Sequence, residues 1–227
     1  YYDIEKNVVQ EKAFIPSTKS FAIAEEELGK MVYYNQDQNL LYILAGGKFY
    51  KIDLTKDEQT VLAKNLEEGQ YTVSADGHLI AYQTSGTINT AQEIKVLNLK
   101  TDEENAVAAK SGEAIRPLGF IGSDFVYGYL RQEDVGHTAA GGELFPMYEL
   151  EIRNSENEVM KTYSADKIYI SDVFIEENMM TLNRVVKSGE TYTVTSQDYI
   201  SSNEEKKTKS ITLEAFSTDL KEKQMRL

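Results

Sequence analysis

The sequence predicts an all-β chain of repeated four-stranded antiparallel units, and three observations carry that expectation. Short apolar runs recur along the chain, joined by turns rich in Gly, Asp and Asn. Inside the runs apolar and polar residues alternate with the period of two that a half-buried strand requires. The runs also return in a fixed order of strand, turn, strand, loop, strand, turn, strand. Aligned on the second strand, Leu41, Ile80, Val126 and Met180 lie 39, 46 and 54 residues apart, near the roughly 40–50 residues of a propeller blade. A unit of this kind has two apolar faces and buries both only when stacked between neighbours. The expected architecture is β-propeller-like, with about four to five four-stranded blades in a single domain over residues 1–227.

The elements follow in chain order. Residues 1–15 read as a half blade, because Tyr1-Tyr2-Asp3-Ile4-Glu5-Lys6-Asn7-Val8-Val9 resembles Phe49-Tyr50-Lys51-Ile52-Asp53-Leu54 and the turn after it. The chain thus opens on the third and fourth strands of a unit. Either its far end supplies the missing strands and closes a ring, or the propeller is incomplete or truncated here; the reading leans to the latter. Residues 22–30 carry Glu25-Glu26-Glu27 and then Leu28, which suits one or two helical turns.

The first unit, residues 30–65, holds the runs 40–44 and 49–54 around Gly46-Gly47, a pair that accepts the positive φ of a tight hairpin. The second, 66–111, runs through 71–74, Asp76-Gly77, 79–82 and 94–99 to a charged turn at 100–104. The third, 112–166, has strands at 118–121, 125–129 and 147–152, interrupted by an insertion from Arg131 to Pro146. The fourth, 167–227, has strands at 169–175 and 179–182 around Glu176-Glu177-Asn178, with later strands expected at 191–200 and 211–216. Leu213, Phe216, Leu220 and Gln224 also sit at helical spacing, so a terminal helix over 213–227 is the alternative there.

The stretch Ser74-Ala75-Asp76-Gly77-His78-Leu79-Ile80-Ala81-Tyr82, followed by 94–99, resembles the TolB-like (WD40-like) propeller repeat. Those repeats carry a Ser-Pro-Asp-Gly turn, an apolar strand ending in Ala-Phe or Ala-Tyr, and an alternating strand. This chain has Ala75 in place of the Pro and lacks the Trp often found before the turn. The resemblance implies a fold and no particular chemistry, because propellers host scaffolds and enzymes alike.

Composition narrows the function. The formal net charge of −13 repels phosphate backbones, and no basic stripe offsets it, which argues against nucleic-acid binding. The chain has no Cys, so disulfides, thiolate chemistry and Cys-ligated zinc are excluded. No apolar run reaches the roughly 18 residues of a membrane helix. No signal-peptide pattern is visible at Tyr1, and the missing initiator Met points to a removed upstream segment. These features fit a protein displayed outside a bacterial cell, extracellular or at its surface, held by a lipoprotein-type anchor in that upstream segment.

No catalytic constellation and no metal or cofactor motif stands out. Gly-x-Ser-x-Gly is absent, the Gly-Gly pairs read as loop and hairpin glycines, and the carboxylate pairs fall in solvated turns. His78 lies in the Asp76-Gly77 turn and reads as a turn residue. The insertion is the distinctive feature, since loops that interrupt a regular scaffold disproportionately carry function. Its binding candidates are His137 and Glu143 with the apolar pair Leu144 and Phe145, which either dock a partner or fold back onto the blade. The functional expectation is a non-catalytic binding or scaffold module, with a protein or glycan ligand and flanking domains in a longer chain. The alternative is an enzyme, or the propeller domain of one, acting on glycans or peptides with Asp134, His137, Glu143 and Asp172 at one mouth of the channel. A spacer that meets only neighbouring domains is the third reading.

Overall fold

The structure, a computed structural model, describes residues 2–4, 6–17, 20–202, 214–218 and 221–226. A small hairpin of β1 (Tyr2–Asp3) and β2 (Val8–Val9) is followed by a strap without regular secondary structure over residues 10–17 and by helix α1 (Phe21–Lys30). Ala22, Ala24 and Leu28 are good helix formers, and Lys30 complements the dipole at the last turn. The helix ends at Met31, whose backbone is already extended.

The first blade is the antiparallel meander β3 (Val32–Asn35), β4 (Leu40–Ala45), β5 (Lys48–Asp53) and β6 (Glu58–Ala63). Gly46 and Gly47 turn β4 into β5 with φ of 58° and 68°, the left-handed geometry that a two-residue hairpin needs at both positions. The second blade is β7 (Tyr71–Val73), β8 (Leu79–Gln83), β9 (Glu93–Asn98) and β10 (Glu103–Ala108). Its Ser-Ala-Asp-Gly turn is built by side chains. The Ser74 hydroxyl donates to Asp76 Oδ1 at 2.7 Å and accepts from the Leu79 N–H at 3.0 Å.

The third blade begins with β11 (Glu113–Ile121) and β12 (Asp124–Arg131). The insertion follows as a 3-10 turn (Gln132–Asp134) and the short hairpin of β13 (Gly136–Thr138) and β14 (Glu143–Leu144). β15 (Met147–Arg153) and β16 (Val159–Tyr163) complete the blade. The fourth blade contains β17 (Ile168–Glu176), β18 (Met179–Ser188), β19 (Thr191–Val194) and β20 (Asp198–Ser201).

The single strand expected at 191–200 is therefore two. β18 is long enough to serve both: Met179 to Leu182 pair with β20, and Val185 to Ser188 pair with β19. The region 213–227 is not helical where described. β21 (Glu214–Thr218) and β22 (Lys221–Arg226) pair there as a hairpin, while residues 211–213 of the expected last strand lie outside the described residues.

Successive blades stack face to face. Leu40, Tyr42, Leu44 and Phe49 of the first blade bury against Ile80, Tyr82, Leu97 and Leu99 of the second. Leu79, Ala81 and Ile94 on the opposite face of the second blade meet Phe125, Tyr127 and Tyr129 of the third. Val126, Leu130, Leu150 and Ile152 then meet Met180, Leu182 and Ile200 of the fourth. These contacts correct one alignment. Ile80 and Met180 look back toward the preceding blade, whereas Val126 looks forward, so Phe125 is the equivalent of Ile80. A one-residue slip in a strand exchanges its faces, and alternation alone could not choose between Phe125 and Val126 because both are apolar.

Polar groups lock the first interface. Buried Asn35, at the end of β3, donates through Nδ2 to the carbonyls of Leu99 at 3.0 Å and Lys100 at 2.8 Å, and its Oδ1 accepts the Gln38 N–H at 3.0 Å. Asp102, in the β9–β10 turn, accepts from the Tyr42 hydroxyl at 2.7 Å and pairs with Lys51. Burial, reinforced by the bond to Asp102, pushes the Tyr42 hydroxyl far above the ordinary phenol range, so it remains a neutral donor. Gln83 repeats the device at the second interface, donating to the Ile115 carbonyl at 2.9 Å. Replacing Asn35 by Ala leaves these carbonyls without their donor. Asn35→Ala is expected to cost about 1–3 kcal/mol in urea unfolding, more than a control at the exposed Gln59, Gln59→Ala.

Candidate functional site

Two places merit a functional reading: the insertion singled out by the sequence, and a cleft over the open face of the first blade. In the insertion, β13 pairs in parallel with β19, aligning His137 with Thr191 and Thr138 with Tyr192. The His137 N–H donates to the Glu190 carbonyl at 2.9 Å. The Tyr192 hydroxyl donates to the Asp134 carbonyl at 2.6 Å, and the Tyr169 hydroxyl donates to the Asp134 carboxylate at 2.9 Å. Lys187 caps the Glu133 carbonyl at 3.0 Å. The insertion of the third blade is thereby sewn to the edge of the fourth.

Its apolar tip folds inward. Phe145 and Leu144 are half-buried, and Phe145 packs against the core between the third and fourth blades. Arg116 on β11 donates from Nη2 to the Phe145 carbonyl at 3.3 Å and also bonds Asn89. Burial pulls the Arg116 guanidinium below its ordinary pKa, and its Nε is buried without a hydrogen-bond partner among the described residues. His137 and Glu143 face each other across β13 and β14, both exposed. Of the four polar residues considered for catalysis, only His137 and Glu143 are paired across strands. The Asp134 carboxylate is engaged by Tyr169, and the exposed Asp172 accepts the N–H of Val173 at 2.9 Å. None of the four lines the cleft or the cavity of about 160 Å³ beside Asn89, Arg131 and Phe145. His78 lies in its turn with Nδ1 2.6 Å from the Asp76 carboxylate. Among the described residues no group of three or more His, Asp or Glu is placed to hold a metal, and no helix is long and apolar enough to cross a membrane.

The cleft is the feature that sequence reasoning missed. On the first blade, Leu41 and Ile52 are cross-strand partners, as Ile80 and Leu97 are on the second. Leu54 matches Leu99: each N–H bonds back to the residue before its second strand, Asn39 at 3.0 Å and His78 at 2.8 Å. On the second blade this face is covered by a sheet. On the first it is covered by the strap, through Ala13 and Ile15, and by α1, through Ala24 and Leu28. A strap and a short helix cannot interdigitate with a sheet along its full width, and a void of about 880 Å³ remains. Leu41, Ile43, Tyr50, Ile52 and Leu54 form its floor. Among the described residues, three charged side chains reach it. Lys12 is held by Asp57 at 2.9 Å, while Glu11 and Lys48 have no ion-pair partner among the described residues.

No protein-family model matches the chain, and no curated protein sequence matches it. Solved structures do match. Oligopeptidase B from Trypanosoma brucei, in a closed form with covalently bound antipain, aligns at 13% identity over 76% of this chain and 27% of its own, with a TM-score of 0.40. The WD40 domain of SCAP from fission yeast aligns at 9% identity over 76% of this chain and 41% of its own, with a TM-score of 0.32. TolB from Acinetobacter baumannii aligns at 13% identity over 76% of this chain and 54% of its own, with a TM-score of 0.25. This chain therefore spans between 27% and 54% of those structures. Similarity at this level bears on neither ligand nor activity.

The parallel β13–β19 pairing depends on Gly136. A Cβ there would lie 2.5 Å from the Glu190 carbonyl oxygen and 2.8 Å from the Tyr192 ring. Gly136→Ala is expected to lift the insertion off the fourth blade, at a cost of about 1–3 kcal/mol. Hydrogen exchange should show it as lost protection at the His137 amide, with the amides of β4 and β5 unchanged.

Proposed function

We propose that this chain is a non-catalytic propeller-type binding and scaffold module of a bacterial surface or secreted protein, and that the cleft over its first blade is its ligand site. The cleft carries the reading. Ligand sites are typically concave, about 300–1,000 Å³ in volume, and mostly apolar with a few polar groups. The void of about 880 Å³ over Leu41, Ile43, Tyr50, Ile52 and Leu54 has that size and character. The insertion, by contrast, packs Phe145 against the chain's own core. The acidic, Cys-free composition is in keeping with a protein exported by a bacterium.

Leu28 offers a clean test, because it lines the cleft from the helix side and is 40% exposed, so its substitution spares the blade core. An uncharged polarity-sensitive dye such as Nile red should bind saturably, one per chain. Leu28→Arg should weaken that binding about tenfold, the loss expected from an apolar contact of about 1.4 kcal/mol. Phe145→Ala should leave it unchanged. Binding that follows Phe145 and ignores Leu28 would move the ligand site to the insertion.

A further inference from the structure

We infer that the ligand of this cleft is a single-chain amphiphile with an acidic head, an alkanoate in the simplest case, its tail along the first blade and its head at Lys48. The inference rests on the cleft being the binding site and adds the ligand's chemistry. The floor supplies aliphatic and aromatic carbon from two adjacent strands, Leu41 and Ile43 from β4 and Tyr50, Ile52 and Leu54 from β5. These side chains form a continuous row, with Leu41 paired to Ile52 and Ile43 paired to Tyr50. A row of this kind is complementary to an extended hydrocarbon. It offers no ladder of polar groups to a sugar, and the backbone N–H and C=O groups of β4 and β5 are already spent on each other and on β3 and β6.

The head group is set by the charges. Lys12 is already neutralised by Asp57. Lys48 stands at the Gly46-Gly47 hairpin, on the rigid sheet, exposed at the end of the apolar row and without an acidic partner among the described residues. Glu11 belongs to the strap and is exposed to water. The fixed charge at the end of the floor is thus a cation, suited to a charge-assisted hydrogen bond with a carboxylate. The Tyr50 hydroxyl lies on the same strand, two residues on.

Calorimetry with decanoate, decanol and decylamine tests head and tail separately. Decanoate should bind about fivefold more tightly than decanol, as expected for one partly exposed charged hydrogen bond. Lys48→Met should abolish that preference and leave decanol binding intact, a split that unfolding would not produce. Each methylene added from octanoate to dodecanoate should tighten binding about threefold to fourfold. Decylamine binding tightest, with sensitivity to Glu11→Gln, would overturn the acidic head while leaving the cleft as the site. Saturable Nile red binding with none of the three alkyl ligands bound would overturn the chain ligand alone. Loss of the dye signal as well would overturn the site itself. A concentration-dependent dimer in sedimentation that Leu28→Arg dissolves would show the face covered by protein, and would also overturn the inference.

Discussion

A sheet with apolar side chains on both faces has no stable existence in water by itself. That constraint organises this molecule. All five residues of β8 are buried, because the second blade is sandwiched between the first and the third. Burying side chains such as Ile80, Tyr82 and Leu79 is worth roughly 1.5–3 kcal/mol each, and only a neighbouring sheet provides the surface. The aromatic residues carry much of the contact. Phe49 meets Tyr82 edge-on at 5.4 Å, and Phe125 stacks on Tyr127 at 5.4 Å. Each ring bridges adjacent side chains and fills the widening space between twisted sheets.

Such rings carry hydroxyls, and the structure uses them. Tyr82 donates to Glu104 at 3.1 Å, and Tyr127 donates to Glu151, which Arg153 also pairs at 3.2 Å. Burial raises both phenols well above their ordinary range, so neither ionises beside its carboxylate at physiological pH. Glu104 and the buried Glu151 are thus acceptors for fixed donors. This is one way an acidic chain keeps like charges from crowding a compact fold.

Much of this fold could be read from residue order. The Gly46-Gly47 hairpin, the Ser74-Asp76-Gly77 turn and α1 at 21–30 depend on neighbours in sequence, and local patterns report local causes. The slip between Phe125 and Val126 shows where that stops: two adjacent apolar residues satisfy alternation equally, and only the facing blade decides. The docking of the insertion was open for the same reason. His137 pairs with Thr191 across more than fifty residues, in a parallel register that no hairpin signal announces. The cleft was hidden more deeply. Leu41, Ile43 and Ile52 read as ordinary core residues, and they floor a cleft only because a strap and a helix, not a sheet, lie over them.

The hydrogen-bonded connectivity of the sheets has a mechanical consequence. The first and second blades are each a closed four-strand ladder, and they meet mainly through side chains. The third and fourth are joined by backbone pairing, through Met147 with Ile170 and through β13 with β19, into one ten-stranded sheet. Side-chain interfaces can part while each ladder stays whole, whereas a shared ladder cannot be split without breaking main-chain bonds. The C-terminal pair of blades shares one main-chain ladder and is expected to unfold as one cooperative unit, whereas each of the two preceding blades keeps its own ladder. The cleft over the first blade thus lies at the end of the chain where each blade keeps a ladder of its own.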